Sequence, residues 1–238
     1  MSPPFREHNG YAQISKCVDA VGRVSREPLL FRGHATSDWT ATPTVFRPGE
    51  AGISKIGDLK SWMDLAHRLI TPTPSSYMEW LVLARHYGIA TPLLDWTTNP
   101  LVAMFFACSL TGDEAVDKDD AVVVFTRRGL FTQIYRPEEI DVFGESAQPW
   151  IIDAATMNSR SSAQDSVLTL HSPLCKTLDV ETLTTIPAHL KENTIWALQR
   201  FGIEETRIFA DLAMAAQRFN QNAALIKFTD DFARRVPW

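Results

Sequence analysis

From residue 57 to residue 70 the chain reads GDLKSWMDLAHRLI, and Leu59, Trp62, Met63, Leu65, Ala66 and Leu69 recur at the three-and-four spacing of one helix face. A second helix is predicted from Ser76, whose hydroxyl can cap the first turn while Glu79 reciprocates, to the neighbourhood of Gly88. The following IATPLLDW, residues 89–96, reads as extended. Asn99 then stands as an N-cap before Pro100, and the nearly unbroken apolar run 101–110 predicts a helix buried on most sides. AVVVFTRR at 121–128 is β-branched and aromatic and reads as a central strand, with SVLTLH at 166–171 as another. PLLFR at 28–32 suits a buried strand, and residues 12–24 suit a short amphipathic helix. The final third turns helical, with one segment over 187–201 ending at Gly202 and another over 206–219. Strands interleaved with helices, with no repeat or linker between them, predict one α+β domain with a mixed or antiparallel β core, flanking helices and a helical C-terminal part.

A chain of 238 residues that is 45% hydrophobic can bury a substantial core. A formal charge of −5 argues against affinity gained mainly by coating nucleic-acid phosphates, although it leaves room for a local basic groove. The start, MSPPFREHNGYAQ, lacks the apolar centre of a secretory signal, and no apolar run approaches the roughly 18 residues of a spanning helix, so a cytoplasmic protein without membrane contact is expected. Cys17, Cys108 and Cys175 lie far apart without ligand spacing and are expected to be small packing residues, with no metal site.

One feature breaks the apolar pattern. Asp95-Trp96-Thr97-Thr98-Asn99 sets an acid, two hydroxyls and an amide between the two most apolar stretches of the chain. A helix start needs one cap, and Thr97, Thr98 and Asn99 are three candidates. The surplus suggests a ligand site at the helix end, where backbone N–H groups favour phosphate.

Leu30-Phe31-Arg32-Gly33-His34, followed by Trp39, Pro43 and Arg47, and the block Ala84-Arg85-His86-Tyr87-Gly88 with Thr91-Pro92-Leu93-Leu94-Asp95-Trp96-Thr97 and Pro100-Leu101-Val102-Ala103 through Phe106-Ala107, resemble the FRG domain family. The resemblance runs over about residues 28–216, through Arg160 and Gln164 to Phe209-Ala210-Asp211-Leu212; residues 1–27 would then be a helical lead-in and 217–238 a tail. The chain departs from the family's usual pattern at Ser166 and Leu168, and by Ala210 in place of a proline. A more distant likeness is to mono-ADP-ribosyltransferases. Phe31-Arg32-Gly33 on an early strand, Thr97-Thr98 leading into Val102-Ala103-Met104-Phe105-Phe106-Ala107, and the strand after Gln164 occur in that family's order.

The second likeness implies a fold resembling the ADP-ribosyltransferases, NAD as substrate, no metal, and a macromolecular acceptor, protein or nucleic acid. The setting would be a bacterial toxin or anti-phage effector with a neutralising or regulatory partner. Arg32, Asp95 and Gln164 are the implied catalytic residues. Phe31, Gly33, His34, His86, Tyr87, Trp96, Thr97, Thr98 and Arg160 are the implied NAD-binding residues. Arg32 offers a fork of donors for phosphate, and Gly33 allows close approach of a ligand. The transferases' catalytic Glu has no counterpart, because Gln164 hydrogen-bonds without supplying charge. Asp95, Asp165 or Glu204 would take its place, with Asp95 first because it lies within the specific block. Structural roles compete for the same residues: Asp95 as a hub tying its strand to Arg85 or Arg32, Arg32 as a surface ion pair, His86 as a helix-end cation, and Trp96 as core. Competing functions are NAD glycohydrolysis, a non-catalytic nucleotide- or protein-binding module, and glycosidic hydrolysis by Asp95 and Glu204.

Overall fold

The computed structural model describes residues 5–24, 27–109, 111–133, 140–153 and 165–208. Seven strands form one sheet in the order β4-β5-β6-β2-β1-β3-β7: β1 Leu29–His34, β2 Leu93–Thr97, β3 Ala121–Arg127, β4 Thr132–Gln133, β5 Trp150–Asp153, β6 Ser166–Leu170 and β7 Glu181–Ile186. Every pairing is antiparallel except β4 with β5. The helices are α1 Phe5–Val24, α2 Ile56–Ala66, α3 Tyr77–His86, α4 Pro100–Cys108, α5 Glu114–Asp117, α6 Lys191–Arg200 and α7 Glu205–Ile208. The class is therefore α+β.

The period-two alternation of the strands sorts side chains onto two faces. One face carries Phe31, Asp95, Thr97, Val123, Leu168 and Ile152, as the pairings Phe31 with Thr97, Phe31 with Phe125, Asp95 with Leu168 and Ile152 with Leu168 require. Helices cover this face in two groups. α1, α4 and α6 pack on β1, β3 and β7 through Ile14, Cys17, Met104, Phe105 and Leu198. α2 and α3 pack on β2, β6 and β5 through Leu59, Ala66, Met78 and Leu81. The opposite face buries Leu30, Leu94, Trp96, Ile151 and Val167 beneath Ala41 and Leu178. α1, expected as a lead-in, thus shares a core with β1 and β3.

The capping signals translate directly. Asn99 Oδ1 accepts from the Leu101 N–H at 3.0 Å, and Ser76 Oγ accepts from the Glu79 N–H at 3.2 Å. The Glu79 carboxylate reciprocates one residue earlier than expected, on the backbone N–H and hydroxyl of Ser75. The helix predicted to reach residue 70 stops at Ala66, so its buried stripe is Leu59, Trp62, Met63 and Ala66, while Leu65 and Leu69 are exposed. α1 begins at Phe5 rather than residue 12 and includes Gly10, a poor helix former. The reason is tertiary: α6 crosses so closely that a Cβ at Gly10 would stand 2.1 Å from the Asn193 carbonyl oxygen. Of the helix predicted over 206–219, the structure describes Glu205–Ile208; the rest, with Arg160, Gln164 and the C-terminal tail, lies outside the described residues.

Candidate functional site

The two helical groups leave a trough between α3 and α4, and a cavity of about 450 Å³ opens there. Its floor is Phe31 and Gly33 of β1, Asp95 and Thr97 of β2, and Ser166 and Leu168 of β6. Val82, Arg85 and His86 form the α3 wall, Ala103 and Phe106 the α4 wall, and Trp39, from the loop after β1, joins them. The volume falls within the usual range for small-molecule sites.

Arg32 enters this cavity by an unusual route. Strand alternation points it to the face opposite Asp95, yet β1 and β2 pair only at Phe31 and Thr97 and part beyond that point. In the gap Arg32 Nη1 donates to the main-chain carbonyl of Asp95 at 2.7 Å. Its Nε is buried without a hydrogen-bond partner. Burial lowers the Arg32 pKa to about 10, the Asp95 charge offsets part of that, and Arg85 and Arg47 add to the lowering. The guanidinium stays charged at neutral pH.

The Asp95 side chain answers to a second arginine. Arg85 Nε and Nη2 both donate to Asp95 Oδ2, the former at 3.0 Å, and Arg85 Nη1 reaches the Thr44 hydroxyl at 3.4 Å. The Asp95 charge raises the Arg85 pKa despite burial. Both versions of the structural hub therefore exist together: the Asp95 carboxylate holds Arg85, and its carbonyl holds Arg32. The Asp95 side chain keeps 41% of its surface open. Arg47 stands close enough for Arg85 to lower its pKa, with Glu50 opposing. Two guanidinium groups, Arg32 and Arg85, thus line the cavity beside its carboxylate, which favours an anionic ligand.

Most of the polar patch is consumed by structure. Thr97 Oγ1 accepts from the Asn99 N–H at 3.1 Å, the exposed Thr98 donates its N–H to the Asp165 carbonyl at 3.1 Å, and Asn99 Nδ2 reaches Asp165 Oδ2 at 3.4 Å. Asp165, with φ of 48°, thus braces the start of α4. The cavity meets α4 at Ala103 and Phe106, past its N-terminal turn. Asp95 is the one acid among the described lining residues, and Glu204 lies on the exposed turn between α6 and α7.

Phe31, Arg32, Gly33, His86, Asp95 and Thr97 of the expected residues thus meet at one cavity. Four others take different places. Trp96 borders the cavity, but its indole turns to the opposite face, where Nε1 donates to Thr169 Oγ1 at 3.0 Å. His34 is buried behind Arg32, Tyr87 is exposed beside Trp62 and His86, and Thr98 does not line the cavity. Gly33 is required by protein rather than by ligand: a Cβ there would sit 2.1 Å from the Ala103 carbonyl oxygen. The expectation missed Trp39, Phe106 and Ser166 as lining residues and treated Arg85 only as a partner for Asp95.

Two buried histidines flank the site. His171 Nδ1 lies 2.9 Å from the Cys175 carbonyl, an acceptor, so Nδ1 carries the proton and Nε2 accepts from Thr169 Oγ1 at 2.9 Å. Burial lowers the pKa of His171 to about 4. Burial, reinforced by the Arg32 charge and opposed by the Trp39 backbone, does the same to His34. Burial pushes the Cys17 and Cys108 thiols up to about 12, in keeping with inert packing. Among the described residues no cluster of three or more His, Cys, Asp or Glu could hold a metal, and no helix is long and apolar enough to cross a membrane.

No curated protein and no solved structure matches the chain significantly. The family model of the FRG domain matches residues 27–115, a span that runs from β1 through α4 and supplies every lining residue except Ser166 and Leu168. Over that span the chain is similar to the FRG domain.

Proposed function

We propose that the cavity binds NAD through its diphosphate and that the protein transfers ADP-ribose to a macromolecule. One observation carries the reading: Arg32, half-buried and charged, and Arg85 line a single cavity whose only described carboxylate is Asp95. Rigid guanidinium forks suit phosphate oxygens, and Thr97 stands on the same floor. In the reaction the bond between nicotinamide nitrogen and ribose C1′ breaks, and its electron pair leaves with neutral nicotinamide. An oxygen or nitrogen of the acceptor bonds to C1′ and gives its proton to solvent. Asp95, beside the developing cation, supplies the negative charge that Gln164 lacks.

The test incubates the full-length protein with NAD labelled in its ADP-ribose portion and a cell extract. Label in the protein or nucleic-acid fraction, lost in Asp95→Asn, supports transfer; free labelled ADP-ribose instead identifies water as acceptor. Absence of both NAD binding and label transfer refutes the proposal. A second reading, nucleotide binding without turnover, is favoured by the engagement of the Asp95 carboxylate with Arg85. Binding without any product at high protein concentration would select it.

A further inference from the structure

Trp39 is anomalous among the tryptophans near the site. Trp96 and Trp80 are buried in the core, whereas Trp39, a lining residue of the cavity, leaves 38% of its surface open. Such an aromatic surface costs free energy in water and would be expected to fold inward if its loop were free to move. That loop is pinned on both sides. Before Trp39, the Ala35 carbonyl accepts from the buried ammonium of Lys191 at 2.8 Å, and the Asp38 N–H donates to Thr36 Oγ1 at 3.2 Å. After it, Thr40 and Thr42 share a hydroxyl hydrogen bond at 2.9 Å, Thr42 pairs with the Thr177 hydroxyl at 2.7 Å, and Ala41 bridges to Leu178. The His34 ring backs the indole edge-on at 6.3 Å between centroids. The loop that brings Trp39 to the cavity lined by Arg32 and Arg85 is therefore held in place.

We propose that Trp39 is the stacking platform for the planar ring of the bound ligand, which makes that ligand a phosphorylated heteroaromatic compound rather than a bare phosphate or sugar phosphate. The inference rests on the NAD reading above and names the group that selects the base or nicotinamide end. A cationic nicotinamide ring and a neutral adenine both stack on an indole, and the arms of the test separate them.

The experiment is calorimetric titration of full-length parent, Trp39→Ala and Trp39→Phe with NAD, nicotinamide mononucleotide, AMP and inorganic pyrophosphate. Trp39→Ala is expected to weaken NAD about tenfold or more and to leave pyrophosphate within about twofold, while Trp39→Phe stays close to the parent. Whichever mononucleotide shares the loss identifies the stacked ring. NAD affinity unchanged in Trp39→Ala overturns the platform alone. Loss of pyrophosphate in step with NAD also overturns it, because the indole would then be supporting the loop. A parent that binds pyrophosphate but not NAD overturns the platform and the NAD reading together, and a parent that binds neither removes the site.

Discussion

Replacing Gly33 by Ala tests the packing on which the cavity depends. The added methyl would stand 2.1 Å from the Ala103 carbonyl oxygen and 2.4 Å from the Ala107 nitrogen. Both obstacles are backbone atoms of α4, so no rotamer change relieves the clash, and reaching ordinary contact of about 3.5 Å requires α4 to lift by roughly 1.4 Å. That helix buries Val102, Ala103, Met104, Phe105, Ala107 and Cys108, and lifting it loosens most of its contacts. Overpacking of this kind costs about 1–3 kcal/mol, and two backbone obstacles place Gly33→Ala at the upper end. At this chain length about 3 kcal/mol lowers Tm by roughly 6–12 °C. Thermal melting followed by circular dichroism reads the shift, with Gly22→Ala in α1 as control, because nothing lies within 4 Å of its added methyl. The control is expected to be neutral or to stabilise by about 0.5–1 kcal/mol. A Gly33→Ala protein melting within about 1 °C of the parent would refute the account of how α4 seats on β1.

Asp95→Asn removes the only described carboxylate of the cavity while keeping its shape, so pyrophosphate should bind about tenfold tighter at low salt as transfer of label disappears; unchanged pyrophosphate affinity would show that the arginines do not hold the anion. The two histidines with pKa values near 4 bind protons in the unfolded chain as pH falls through the ordinary value of 6.5, but in the folded chain only near 4. Stability is therefore insensitive to them above that ordinary value and declines as pH falls from there towards 4, by roughly 3 kcal/mol for each at most. Urea unfolding across that range should show the slope, and His34→Leu should remove about half of it. Asn99→Ala deletes the cap of α4 and should cost about 1 kcal/mol, read as a fall of roughly 2–4 °C in Tm.

The elements were legible where their signals are local. Capping by Ser76 and Asn99, the apolar run of α4 and the β-branched runs of β3 and β6 act over a few residues, and each formed close to where the pattern put it. Misreadings arose where a distant partner decided. Gly10 stays inside α1 because α6 needs the space, and α2 leaves Leu65 exposed on its outer side and ends at Ala66, before the exposed Leu69. The placement of Trp96 was readable in principle: within β2 a period of two puts it opposite Asp95 and Thr97.

The sequence by itself determined the α+β class, the FRG motif with Arg32, and the presence of Asp95 and Thr97 in one specific block, because motif spacing and helix capping are properties of neighbouring residues. Only the tertiary structure decided that Arg32 reaches the Asp95 carbonyl, that Arg85 takes the Asp95 carboxylate, and that Trp39 lines the same cavity. Those outcomes depend on strand pairing and on the separation of two helical groups, which bring Arg32 to Asp95 across 63 positions of the chain.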